Sequence, residues 1–407
     1  MAGQSLKPKE CGGPLSGVRV LEITKVWAGP YAGKMLAHLG AEVIKVESAS
    51  NIDEMRAYGG VDINSAPYFL SINQEINSIQ VNMKTPEGLD LVKQLVAKSD
   101  IVIDNIRPGA MERSSLGYED LKKVKPDIIQ CSIKMWGNDG PLGYQTGYAP
   151  CFAALSGLFN LVGHAGETPM GMNMRHGDST AGACAALACL AALHHRENTG
   201  EGQYIDLSAV ETLTSLVGDS LFAYSVTGDV PQSDENFHPE MAPHGAYPCS
   251  GVDWISIAAS DEDEWQSLCE VLDAGDLAAE PQFATLANRI ENHQALDNAI
   301  GARTKGHNAA ELADRLRKAG VPAFKSMNSI DLCSDEFLWG RQGYRMVTDH
   351  RNGSRPTIGP SWRITPDGPD VQRGAPLLGE HNEYVYREIL GLPQDRFDDL
   401  IDRKVID

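Results

Sequence analysis

The chain has no excess of basic residues, no membrane-length apolar run, no paired-cysteine motif and few aromatics, and each absence removes a class of function. Its 407 residues carry 55 Asp and Glu against 35 Lys and Arg, a formal net charge of -20 at pH 7. Holding a phosphate backbone takes clustered Lys and Arg, so no nucleic-acid partner is expected, and the acidity serves solubility. No apolar run reaches the about 20 residues needed to cross a bilayer. The start, Met1-Ala2-Gly3-Gln4-Ser5-Leu6-Lys7, lacks the apolar core of a secretion signal. A cytoplasmic protein without a membrane partner is expected. The eight cysteines (Cys11, Cys131, Cys151, Cys184, Cys189, Cys249, Cys269 and Cys333) form no C-x-x-C and no Cys/His set at zinc spacing, which predicts reduced, mostly buried thiols and no metal site.

Familiar catalytic signatures are missing too. There is no H-E-x-x-H and no G-x-S-x-G. Residues 18–23 read as a strand, Ala28-Gly29-Pro30 as a turn, residues 31–39 as a short helix stopped by Gly40, and residues 42–47 as a second strand. This βαβ unit invites a dinucleotide, but Gly29 and Gly33 do not complete G-x-G-x-x-G, and Gly33-Lys34-Met35 has neither the spacing nor the hydroxyl of a phosphate loop.

What is present is a sustained alternation of strands and helices. Thr85-Pro86-Glu87 opens a helix to Lys98; residues 101–104 make a strand and residues 105–109 its turn. A helix (116–124), a strand (127–133) and the loop 134–141 follow. Ligands of open α/β sheets sit at the carboxyl ends of strands, which singles out Lys25-Val26-Trp27, Asn105-Ile106-Arg107 and Lys134-Met135-Trp136, the last a loop where a lysine and an aromatic emerge together. An alanine-rich helix is predicted from Ser179 to about Arg196, then a strand at 204–207 and a helix from Ser208 to about Tyr224. The expected division is a large domain over 1–225, a linker over 226–245, a smaller α+β domain over 246–330, and a linker and C-terminal part over 331–407 with a hairpin near 351–354 and a last helix over 381–390.

Ahead of the alanine-rich helix stands Arg175-His176-Gly177-Asp178-Ser179-Thr180. Asp178 is well placed to cap the helix. The partial positive charge of a helix N-terminus would equally keep an exposed carboxylate ionised, and so ready as a nucleophile, with Ser179 or Thr180 left to cap in its place.

Taken together, several segments resemble a known family. They are residues 15–22, Ala28-Gly29-Pro30, residues 39–47, residues 84–88, Asn105-Ile106-Arg107-Pro108-Gly109, Gly177-Asp178, residues 196–203 and residues 375–381. In this order they are similar to the class III CoA-transferases, which include formyl-CoA transferase and carnitine CoA-transferase. The resemblance implies an α/β fold with a Rossmann-like large domain built from both chain ends, a smaller α+β domain between them, and an interlocked, ring-like dimer. It implies Asp178 as the catalytic nucleophile, and Val26, Trp27, Asn105, Ile106, Arg113 and Lys134 as the CoA-binding set. The substrates implied are an acyl-CoA and a free carboxylic acid, with a CoA thioester as substrate and no tightly bound cofactor. The likeness is closer to the branch that uses succinyl-CoA or aromatic succinates, such as benzylsuccinate CoA-transferase. Some members of that branch pair an active subunit with one lacking the aspartate, so a homodimer or a heteromer with a related subunit is implied. Ser48 and residues 74–78 depart from the family pattern where the nucleotide would lie. Racemases of the same fold use a His in a segment that here reads Thr146-Gly147-Tyr148-Ala149-Pro150. The alternatives to transfer are such racemase chemistry and a non-catalytic partner subunit that uses Asp178 only as a cap. Met170-Gly171-Met172-Asn173-Met174 is a candidate acyl pocket.

Overall fold

Six short segments, most of them rich in β-branched and apolar residues, become the strands of one parallel sheet: β1 (Arg19–Ile23), β2 (Glu42–Glu47), β3 (Ile76–Gln80), β4 (Ile101–Asp104), β5 (Ile129–Lys134) and β6 (Tyr204–Ser208). Their order is β3-β2-β1-β4-β5-β6. The structure, a computed structural model, describes residues 7, 8, 11–164, 166–170, 175–233, 235–349, 351 and 353–407. Strands this apolar are stable only when both faces are covered. One apolar cluster joins Val20, Ile103 and Ile133 to helix α1 (Ala28–Ala37) and to the long helix His176–Thr199. The other joins Leu21, Ile44 and Val102 to the helix Pro86–Ala97 and to the C-terminal residues Tyr386, Phe397 and Leu400.

The sheet belongs to the first of two compact units, made of Met1–Leu161, Met170–Pro231 and Leu338–Asp407. The second unit, Val162–Pro169 with Gln232–Phe337, has its own antiparallel sheet of β7 (His244–Pro248), β8 (Trp254–Ala258) and β9 (Ala323–Lys325). Its core gathers Trp265, Leu268, Ile300 and Leu312 from three helices onto Ile255 and Ile257. Back in the first unit, β10 (Tyr344–Asp349) and β11 (Gly353–Ile358) pair as an antiparallel hairpin.

Several elements differ from what the sequence suggests. Ala28-Gly29-Pro30 is the first turn of α1 rather than a turn before it, since a proline fits where the N–H needs no partner. Strand β3 escapes the pattern because Ile76-Asn77-Ser78-Ile79-Gln80 mixes polar residues into a buried strand. Its outer edge does not meet water: Ser78 O accepts from His381 N–H at 3.0 Å, and Gln80 N–H donates to Asn382 Oδ1 at 2.8 Å, so the chain's own end covers an open sheet edge. The final helix, Gln394–Asp402, lies beyond the expected one, which is a π-helical turn over Tyr384–Ile389.

Candidate functional site

The strand order reverses between β1 and β4, and the carboxyl ends of the strands at such a switch point are where open α/β sheets take their ligands. Beyond β1, Val26 takes φ 66°, which costs a β-branched residue on the order of 1–3 kcal/mol. Three hydrogen bonds enforce it. Asn105 accepts from Lys25 N–H at 2.8 Å and donates to Lys25 O at 2.7 Å, while Val26 N–H donates to Asp53 Oδ1 at 2.9 Å. Gly29 allows this close approach, because a Cβ there would lie 2.6 Å from Thr24 Cβ and 2.9 Å from Asn105 Cγ. Below the loop, Lys45 bridges Asp53 at 3.0 Å and Glu22 at 3.3 Å, and Arg56 binds Glu47 at 2.7 Å, all fully or almost fully buried. These paired charges fix the strand ends from beneath.

The long helix brings its N-terminus to the same strand ends, where Trp27 of the loop after β1 meets Ser179. It begins at His176, three residues earlier than its alanines suggest, with Arg175 as N-cap residue, so Asp178 stands in the first turn and is not the cap. Neither hydroxyl replaces it: Thr180 Oγ1 donates to His176 O at 2.8 Å, and Ser179 Oγ accepts from Trp27 Nε1 at 3.0 Å. The helix dipole favours an acid in this turn without any cap geometry. Gly182 seats the helix against α1, since a Cβ there would be 2.6 Å from Ala28 O.

Asp178 is half-buried and, among the described residues, makes no hydrogen bond or ion pair. Burial pushes its carboxyl up to about 6, opposed by the nearby Arg175 cation. The Arg175 guanidinium lies 3.9 Å from the centre of the Tyr68 ring and 4.9 Å from that of Trp27. Tyr58 meets Tyr68 edge-on at 5.8 Å and extends the aromatic shelf outward. Composition and spacing give no sign of Arg175 or Tyr68, which are far apart in sequence and ordinary in their local context.

Of the residues singled out from sequence, Val26, Trp27 and Asn105 gather at these strand ends beside the helix turn that carries Asp178. Ile106 turns its side chain toward the apolar cluster behind the sheet. Arg113, itself exposed, ends the short helix Ala110–Arg113, whose Met111 is buried. Lys134 does not emerge into a loop: it is the last residue of β5, buried, and paired with the buried Asp104 at the end of β4. A carboxylate held inside a sheet requires such a cation, which turns the lysine inward. Ser48 is buried with its hydroxyl 3.4 Å from Ser50 Oγ. Residues 74–78 spend their polar groups internally, with Glu75 Oε2 2.9 Å from Arg373 Nε, Asn77 Oδ1 accepting from Arg373 Nη1 at 2.9 Å, and Ser78 Oγ donating to Glu47 at 3.3 Å. Residues 171–174 of the candidate acyl pocket lie outside the described residues, and Met170 is exposed. Among the described residues no group of three or more His, Cys, Asp or Glu is placed to hold a metal ion, and no helix is long and apolar enough to cross a membrane.

An open sheet in Rossmann order, with the Asp178 carboxylate on a helix turn at its switch point and no phosphate-binding glycine motif, defines an α/β enzyme distinct from the dinucleotide binders. The match to CoA-transferase family III runs over residues 15–382, and the chain belongs to that family of enzymes, which take CoA thioesters as substrates. It is 33% identical over 396 residues to succinyl-CoA–D-citramalate CoA-transferase of Chloroflexus aurantiacus, covering 97% of this chain and 98% of the relative. It is 30% identical over 404 residues to succinyl-CoA:glutarate CoA-transferase of Mus musculus, covering 97% and 90%. A crystal structure of a CAIB/BAIF family protein from Brucella suis superposes with TM-score 0.88 at 31% identity, covering 93% of this chain and 100% of that one.

Proposed function

We propose that the protein moves CoA from succinyl-CoA to a second dicarboxylic acid, with Asp178 as the covalent nucleophile. One observation carries this: a carboxylate with no hydrogen bond or ion pair among the described residues, half-buried in the first turn of a long helix at the switch point of the sheet. The relatives named above, which act on succinyl-CoA with citramalate or glutarate, support the substrate class.

In this reading, an Asp178 oxygen attacks the thioester carbonyl and the C–S bond breaks, leaving a mixed anhydride and CoA thiolate. The thiolate attacks Asp178 Cγ, releases succinate and forms an aspartyl-CoA thioester. The acceptor carboxylate attacks that thioester and expels the thiolate, which then attacks the acceptor's acyl carbon and frees Asp178. The cycle involves no net proton, water or electron. A carboxylate is a weak nucleophile, so positioning must supply much of the rate, on the order of 7–11 kcal/mol for well-oriented groups. The N–H groups of the first helical turn are suited to meet the oxyanions.

CoA binding is assigned to the loop of Val26 and Trp27, the clamp of Asn105, and the exposed Arg113; Ile106 and Lys134 support it from behind. The acceptor could carry an aryl group, a second reading favoured by the shelf of Trp27, Tyr68 and Tyr58. The interlocked dimer belongs to the same proposal, supported by the helix Gly218–Thr227, whose Leu221, Phe222, Tyr224 and Val226 are all exposed.

Asp178→Asn tests the mechanism. It should lower transfer from succinyl-CoA to glutarate, citramalate or benzylsuccinate by at least about a thousandfold. Hydroxylamine trapping after succinyl-CoA addition should mark the Asp178 peptide by mass spectrometry. Transfer at near the parent rate by the variant would exclude the covalent route.

A further inference from the structure

Arg175 is the one cation beside Asp178 whose donors nothing in the described structure uses. Its guanidinium is packed on the faces of Tyr68 at 3.9 Å and Trp27 at 4.9 Å from the ring centres, while its N–H edge makes no hydrogen bond or ion pair among the described residues. Packing of this kind holds the cation over aromatic rings without using its N–H donors, so they remain available to receive a carboxylate as a bidentate pair. Trp27 is itself fixed, since its Nε1–H donates to Ser179 Oγ at 3.0 Å, one residue beyond Asp178. The shelf that orients Arg175 is therefore tied to the turn that carries the nucleophile. Arg175 precedes Asp178 by three positions at the helix start, a spacing that puts side chains on one face with Cβ atoms roughly 5–6 Å apart.

A lone arginine stacked on aromatics beside a carboxylate has two possible uses. Had it served only to hold Asp178 ionised, a direct ion pair would be expected, and none forms. We infer that Arg175 is the specificity-determining residue that receives the distal carboxylate of a dicarboxylate substrate, while the proximal carboxyl or thioester reacts at Asp178. This rests on the transferase reading above and adds to it the reason why a diacid is chosen. Half-buried surroundings strengthen the pair relative to open water. A monocarboxylate of equal length would leave the fork without a partner.

The test compares glutarate with valerate, which differ by one terminal carboxylate, as acceptors with succinyl-CoA as a common donor, so that any effect on the donor cancels in the ratio. The parent enzyme should prefer glutarate in kcat/KM by roughly a hundredfold or more. Arg175→Met keeps an apolar side chain on the rings and should bring that ratio close to one by losing glutarate, leaving valerate within about threefold. Arg175→Lys, which keeps the charge without the fork, should retain part of the preference and serves if the methionine variant folds poorly. An unchanged ratio in both variants, or an equal loss on both acids, overturns the inference. Equal use of the two acids by the parent also overturns it while leaving CoA transfer intact, whereas a parent that transfers CoA to neither acid overturns the transferase reading on which it rests.

Discussion

Asp178 and Lys134 are both charged groups near strand or helix ends, and the structure assigns them opposite surroundings. Among the described residues Asp178 makes no hydrogen bond or ion pair, and its carboxyl is pushed up to about 6 by burial. Only the ionised form attacks a carbonyl, so kcat/KM should fall about tenfold per pH unit below 6 and level off above it, as a pH-rate profile with a pH-stable acyl-CoA would record. Lys134 is buried against Asp104, whose own carboxyl is raised by burial in spite of the lysine. Removing one member of such a pair leaves the other charge stranded, and Lys134→Ala should lower unfolding stability by about 3 kcal/mol or more in chemical denaturation. A direct CoA contact would instead leave stability unchanged and raise the KM for acyl-CoA. At this scale the local sequence drew attention to Asp178 chiefly as a helix cap, which the structure gives to Arg175, and its reading as nucleophile rests on the resemblance to the family. The sequence did not expose Arg175 and Tyr68, whose partnership across about a hundred residues exists only after folding.

The helix His176–Thr199 places the site through its contact with α1. Gly182 faces Ala28 O and Tyr31 Cβ so closely that any side chain must push the two helices apart. Gly182→Val should therefore lower stability by about 1–3 kcal/mol, read from the urea midpoint. It should also slow transfer, because the first turn moves with the helix. Helix α1, the helix Pro86–Ala97 and the strands β1, β2, β4 and β5 were legible from periodicity and caps. Strand β3 was not, since its polar residues are buried by partners from the chain's far end, such as Arg373 and His381, that no local window contains.

On the scale of the whole molecule, the helix Gly218–Thr227 leaves four large apolar side chains exposed, more than a monomer usually shows at one place. If a second subunit covers them, Phe222→Asp should convert a dimer into a monomer in size-exclusion chromatography with light scattering. A parent protein that is already monomeric would remove the dimer from the proposal, and a requirement for a second related chain would favour the heteromer. The sequence by itself determined the strand and helix alternation, the absence of a dinucleotide motif and the position of Asp178, because each is written in a short span of residue types. The tertiary structure decided that Lys134 is spent on Asp104, that Arg175 lies over Tyr68 and Trp27, and that among the described residues neither Arg175 nor Asp178 makes a hydrogen bond or ion pair. Burial and charge pairing depend on which distant segments meet, and that is settled by packing around the sheet rather than by any local pattern.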